Sequence, residues 1–342
     1  MPLAAAFAIA VATRAARDPG AQDTPRTRQP DRGREADRPG EIPPEGWRDI
    51  LRRVKAAMAA DHLSTFAAGV AFYGILAICP ALAGVISIYG LIADTPDVER
   101  HLAMAAGLMP EDARAIMTDQ LAEVARQSHV RLGLGAIAAL LFALWSAVSA
   151  VRTLMTGLNV AYDEPETRGF VRLYASALLL TLSGIFGTIM NFSLMTALPA
   201  GLRLLALRPA LETALSLLRW PLLAGVVMVG LALLYRFAPS REQPRWQWVS
   251  WGAAGAAALW LCGSLLFTWY VAHFGEYNVT YGALGAAALL LLWSYFGAYA
   301  ALLGAEVNAE MERQTARDTT ERRGAPLGAR GADAADTVGA SP

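Results

Sequence analysis

Residues 281–310 read YGALGAAALLLLWSYFGAYAALLGAEVNAE, and no charged side chain occurs before Glu306. A helix on the surface of a soluble domain is apolar along one stripe only, whereas this stretch is apolar all round. At about 1.5 Å per residue it is long enough to cross a hydrocarbon layer of about 30 Å. Five similar stretches precede it. Together they predict transmembrane spans near residues 66–92, 132–151, 173–198, 218–238, 248–272 and 283–305. The fold class that follows is all-α, a polytopic membrane protein with six transmembrane helices. Pro80 near the middle of the first span removes a backbone donor and predicts a kink or break there.

The whole-chain composition agrees. Of 342 residues, 55% are hydrophobic and 17% charged, against about a quarter charged in an ordinary soluble domain. The 29 basic and 29 acidic residues cancel, which argues against a general basic surface and against nucleic acid as a partner. Cys79 and Cys262 both fall inside spans, where they are expected to act as small apolar packing residues rather than as a disulfide or metal pair. The opening MPLAAAFAIAVATRAAR has no basic residue ahead of its apolar run. It is therefore taken as a dispensable or misassigned start, not as a signal peptide.

Outside the spans, residues 1–46 lack apolar periodicity and are expected to form a disordered tail, as are residues 313–342. Residues 47–312 then make up the membrane domain. Its first element, WRDILRRVKAAMAADHL, sets Trp47, Ile50, Leu51, Val54, Ala57 and Met58 at helical spacing, opposite Arg48, Arg52, Arg53 and Lys55. That pattern predicts an amphipathic helix lying on the anionic inner leaflet, with packing against a loop as the alternative. Between the first two spans, Pro110, Glu111 and Asp112 suit a helix's first turn. The segment 93–131 is expected to form an outer helical cap or to lie on the surface.

Orientation follows from the placement of Lys and Arg. With the N-terminus inside, the cytoplasmic side holds 22 of them and the other side 7. The short loops alone give 6 against 3. Both ends are therefore expected in the cytoplasm.

No enzyme site is visible. His62, His101, His129 and His273 are scattered, without the spacing that brings two ligands onto one helix face. Lys55 is the only lysine, so no phosphate-binding loop of the Gly-rich, Lys-ending kind exists. No metal, cofactor or ATPase is expected. Polar groups inside a membrane are costly and become the candidates by default. Asn191 in the third span could line a polar pathway or make a helix–helix hydrogen bond. Arg152 and Arg236, at the inner ends of spans two and four, are expected to snorkel toward phosphates. Glu306, with Asn308 beside it, ends the sixth span. There a carboxylate either belongs to a helix that continues or has Arg152 or Arg236 as partner, forming an inner gate. Glu276 and Tyr281 in the outer hairpin complete the pathway candidates, although tyrosines there also fit an interfacial belt. Small residues recur at Gly252, Gly255, Ala256 and Gly263 and at Gly282, Gly285, Gly297, Ala301 and Gly304, which predicts close helix packing.

Four motifs carry a resemblance. They are AAGVAFYGILAICPAL at 67–82, WSAVSAVRTLMTGLNVAYDEPETRGF at 145–170, LYRFAPSREQPRWQWVSWGAAGAAALW at 234–260, and the stretch at 281–310. In this order, over roughly residues 48–312, the chain resembles the YihY/BrkB family of bacterial inner-membrane proteins. The resemblance implies a six-helix, multi-pass inner-membrane fold with cytoplasmic ends. It brings no substrate, although members have been labelled ribonuclease BN or virulence factors and a transport role is often supposed. The chain departs from the family at Ser250-Trp251-Gly252, where a proline is usual.

The function expected is transport or translocation of a small or amphiphilic, lipid-like substrate without an ATPase of its own, with membrane lipids as partners. The alternative is a non-transporting envelope scaffold that binds a partner protein. A nuclease is disfavoured for want of an acid, base or metal set. Self-association into a homo-oligomer stays open.

Overall fold

The computed structural model describes residues 32–92, 129–204, 209–274, 277–322 and 324–339. Among these the chain is helical. Helix α1 spans Pro44–Ala60, α2 Leu63–Ile92, α3 His129–Ala161, α4 Phe170–Leu204, α5 Pro209–Phe237, α6 Trp246–Phe274, α7 Tyr277–Glu312, and a short α8 Asp333–Asp336. Helices α2 to α7 are the six long enough and apolar enough to cross a membrane. Large apolar side chains such as Leu182, Phe186, Ile189, Leu265 and Leu266 point outward on them, as expected where the solvent is lipid. The helices overrun the expected spans. In particular α3 continues through Arg152 to Ala161, so Arg152 lies inside the helix rather than at its end. Helix α2 runs through Pro80 without interruption. Cys79 and Cys262 are free and exposed, not packed between helices. The segment expected to form an outer cap lies, except for its last three residues in α3, outside the described residues.

The chain divides into two units, Val70–Ala150 and the remainder. Within the first, the paired parts of α2 and α3 approach closely at Gly84, where an added Cβ would press on Leu140. Tyr73 meets Trp145 edge-on, with ring centroids 6.3 Å apart.

In the second unit α4, α5, α6 and α7 pack in sequence order, with the most extensive contact between α6 and α7. Bare backbone makes that contact possible. A Cβ at Gly252 would overlap the Gly304 carbonyl oxygen and the Asn308 amide, and one at Gly304 would overlap the Tyr235 hydroxyl. Tyr235, wholly buried, donates to the Ala301 carbonyl at 2.7 Å. The Asn308 side chain accepts from the Gly252 N–H at 2.8 Å and donates to the Val249 carbonyl at 3.3 Å. Asn308 is thus a fastener between α6 and α7, not a pathway residue.

The same end of this unit carries a folded polar layer. Helix α1 turns its apolar side onto it, so that Ile50 and Val54 join Ala36, Ile42, Trp248 and Met311 in one buried cluster. The packing alternative for α1 therefore prevails, and its burial supplies about 1.5–3 kcal/mol per large side chain. Residues 32–46 and 313–339, expected to be disordered, belong to this layer over their described lengths. Hydrogen bonding replaces apolar periodicity there. Ala316 N donates to the Arg34 carbonyl at 2.8 Å, and Thr315 Oγ1 to that of Ala36 at 2.7 Å. Residues 313–322 and 324–339, called the strap below, wrap around buried Arg330, which donates to the carbonyls of Ala316, Arg317, Ala325 and Ala335. Both described ends of the chain thus meet in this layer of the second unit.

Replacing Gly304 by leucine should overpack the α6–α7 contact and lower stability by about 1–3 kcal/mol. Gly255, with nothing within 4 Å of an added Cβ, should tolerate leucine. Thermal unfolding of the two purified variants in detergent checks the contrast, and equal midpoints would refute it.

Candidate functional site

One side of α4 is unlike the rest of the helix. Arg172, Ser176, Ser183, Gly187, Thr188 and Asn191 fall on it and face Val226, Val227, Gly230 and Leu234 of α5, lining a cavity of about 1020 Å³. Nothing lies within 4 Å of a Cβ added at Gly184, Gly187 or Gly230, so the lining there is open backbone. Ser183 and Thr188 donate back to the carbonyls of Leu179 and Gly184, each at 2.9 Å. That leaves their oxygen lone pairs for a ligand. The Asn191 Oδ1 has no hydrogen-bond partner among the described residues. Leu179, on the same wall, is 66% exposed. The cavity is a lengthwise groove, not an enclosed chamber.

Its polar end is built by the loops 162–169 and 238–245 and by the strap. Arg168 grips Glu166 through two nitrogens, at 2.8 and 2.7 Å, and donates to the Ala238 carbonyl at 2.8 Å. Asn159 ties the two loops together, accepting from Ser240 N at 2.8 Å and donating to Glu166 at 3.0 Å. Arg241 pairs with Glu312 at 2.6 Å, both side chains wholly buried, and its guanidinium lies 4.1 Å above the Tyr162 ring. Burial works against the Arg241 charge, but Glu312, Tyr162 and Glu164 together outweigh it and hold the group above the usual arginine range. Arg313 binds Asp163 at 2.5 Å and Glu310 at 2.9 Å, and Arg53 reaches the same Glu310 at 2.6 Å. Burial raises the Glu164 carboxyl to about 7, against the lowering effect of the Asp333 N–H that it accepts and of Arg241.

The sequence-derived candidates separate in three ways. Asn191 and Arg236 line the groove. Arg236 does not snorkel: only 5% exposed, it donates to the Pro244 carbonyl and pairs with Glu321 of the strap. Arg152 and Glu306 do not form the expected gate. Arg152 donates to the Tyr174 hydroxyl at 2.6 Å and lies 4.2 Å above that ring. Glu306 is wholly buried, with Asp61, Arg313 and Glu310 as charged neighbours, because α7 runs on past it to Glu312. Glu276 and the side chain of Tyr281 lie outside the described residues. Arg172, Arg241, Glu312 and Glu321 were not singled out from the sequence. The partners of Arg241, Glu312 and Glu321 stand tens of residues away, and no spacing signals them.

Among the described residues no three His, Cys, Asp or Glu side chains gather in a way that could hold a metal ion. The family model described as virulence factor BrkB matches residues 54–327. The chain is 31% identical over 177 residues to the putative ribonuclease-like protein YfkH of Bacillus subtilis, covering 50% of this chain and 64% of that one. It is 35% identical over 144 residues to a UPF0761 membrane protein of Tolumonas auensis, 42% of each chain. A UPF0761 membrane protein of Verminephrobacter eiseniae is 25% identical over 276 residues, 77% of this chain and 62% of that one. The chain thus spans less than two thirds of each of these relatives. No solved structure gives a significant match.

A carboxyl held above its unfolded value binds its proton more tightly in the fold. The stability contributed by Glu164 is therefore full below about pH 4.5 and lost as the pH rises through about 7. Glu164→Gln should remove that slope. In thermal unfolding between about pH 4.5 and 8, the wild-type midpoint should fall relative to the variant's as pH rises, and parallel curves would contradict it.

Proposed function

Given that the chain belongs to the virulence factor BrkB family of membrane proteins, we propose that it moves an amphiphilic, lipid-like molecule along the α4–α5 groove without hydrolysing a nucleotide. The groove's lining carries this reading. From Arg172 to Asn191 the α4 face covers 20 residues, about 28 Å of helix, close to the hydrocarbon thickness of a bilayer. A polar headgroup crossing bare hydrocarbon loses its hydrogen bonds at a cost of several kcal/mol. Along this face it meets Ser176, Ser183, Thr188, Asn191 and the open backbone of Gly184 and Gly187 instead. Its acyl chains can stay in the surrounding lipid, because the groove is open along its side.

The cytoplasmic membrane of a bacterium is the proposed location, with both chain ends inside. The 22 to 7 distribution of basic residues supports that orientation. The ribonuclease-like label belongs to the Bacillus relative. For this chain we favour a role without catalysis, since the α4 face of the groove carries hydroxyls and an amide.

The test uses the purified full chain in lipid vesicles containing a tail-labelled fluorescent phospholipid, bleached from outside by an impermeant reductant. Vesicles with wild-type protein should exchange lipid between leaflets faster than empty ones. Gly187→Trp places its side chain in open groove and should slow the exchange about tenfold without lowering the unfolding temperature. Exchange no faster than in empty vesicles, or unchanged in the variant, would overturn the proposal.

A further inference from the structure

Resting on that reading of the groove, we propose that its basic end is a site for the phosphate-class anionic headgroup of the amphiphile, formed by Arg172 and Arg236, with the Glu321 carboxylate of the strap standing where that anion binds. Four arginines line this end of the groove, and they differ in how they are engaged. Arg168 is committed to Glu166, and Arg241 is sealed against Glu312. Arg172 is exposed and makes no ion pair or hydrogen bond among the described residues. Arg236 is buried at the groove wall, yet its Nε has no hydrogen-bond partner among the described residues.

The anion that Arg236 does hold comes from outside the groove helices. Glu321 sits on the strap and is 50% exposed. Only the Arg236 side of the pair is buried; the half-exposed Glu321 carboxylate stays open to solvent, where a competing anion can reach the same guanidinium. An oxyanion entering along the groove would meet the same guanidinium, whose planar fork suits two oxygens of one phosphate group. The Trp246 ring 4.6 Å from the Arg236 guanidinium fixes the plane of that fork. Arg172 stands in the first turn of α4, where the positive end of the helix dipole adds to its charge. Among the described residues the one acidic side chain lining the groove, Glu242, is already beside Arg322 at 3.3 Å. The charge left uncompensated there is positive.

The strap is placed to hold or release this site. Its backbone accepts from Arg245 N at Thr319 and donates from Glu321 N to Gln243, at 2.9 and 3.1 Å. Glu321 is thereby presented to Arg236, so filling the headgroup site and docking the strap compete for one guanidinium.

Equilibrium binding tests this without requiring transport. The full chain in nanodiscs of zwitterionic lipid is titrated with tail-labelled phosphatidylglycerol, with phosphatidylcholine of the same tails, and with inorganic phosphate as competitor. The anionic lipid should bind at least fivefold tighter than the zwitterionic one. Glu321→Gln should tighten only the anionic lipid severalfold, and Arg172→Gln should weaken it severalfold. Arg236 is left intact, because it also holds the Pro244 carbonyl. Equal binding of the two lipids, or an anionic affinity unmoved by both substitutions, would overturn the site. Displacement by micromolar inorganic phosphate would assign it to a free anion and overturn the headgroup. A chain that binds as expected but exchanges no lipid keeps this site and loses the transport reading. One that exchanges both lipids alike with no binding preference does the reverse.

Discussion

Glu312 ends α7 wholly buried, and a buried carboxylate must have a partner or the fold does not form around it. Arg241 supplies the partner from a loop 71 residues earlier. A pair of this kind adds little net stability over well-packed apolar residues, but losing one member costs about 3–5 kcal/mol. Its effect is to fix where the 238–245 loop sits on α7. With that loop placed, its backbone is available to the strap, and Thr319 closes the arrangement by donating to the other Glu312 oxygen at 2.9 Å. Arg313, in contact with Asp163, Glu310 and Asp333, extends the same logic to the α3–α4 loop and to α8.

The groove depends on that layer. Helices α6 and α7 approach through Gly252 and Gly304 and leave no space between them. Helix α4 packs along α5 with a face of serine, glycine, threonine and asparagine that lines the groove. At one end the groove meets the polar layer and its arginines, and beyond that end its α5 wall is apolar. A path with polar contacts along its length and a charged terminus is suited to a molecule that is itself part polar and part apolar.

Much of the membrane architecture was legible in the sequence. Six long apolar runs marked six helices, because length and hydropathy alone decide whether a segment can cross a bilayer. The small residues at Gly252, Gly263 and Gly304 marked close packing, because only a missing side chain permits it. Asn191 was visible as a costly polar group in an apolar run. The strap was not legible. Ala/Gly/Arg text without apolar periodicity ordinarily stays disordered, and here Arg330 and Asp336 organise it through hydrogen bonds to backbone groups that no periodicity announces. The expected pairing of Glu306 with Arg152 or Arg236 failed for a related reason. A shared side of the membrane brings charges into the same layer without choosing which of them meet.

The sequence by itself thus determined the class of protein, the number of long apolar helices and the residues that let α6 and α7 touch. These follow from local composition, which each segment carries with it. Only the tertiary structure decided that Arg241 rather than Arg236 is sealed by a buried carboxylate. It also decided that α1 packs its apolar face on protein, and that one face of α4 is left open beside two arginines. Those outcomes depend on which loops reach the end of α7, and so on contacts between residues far apart in the chain.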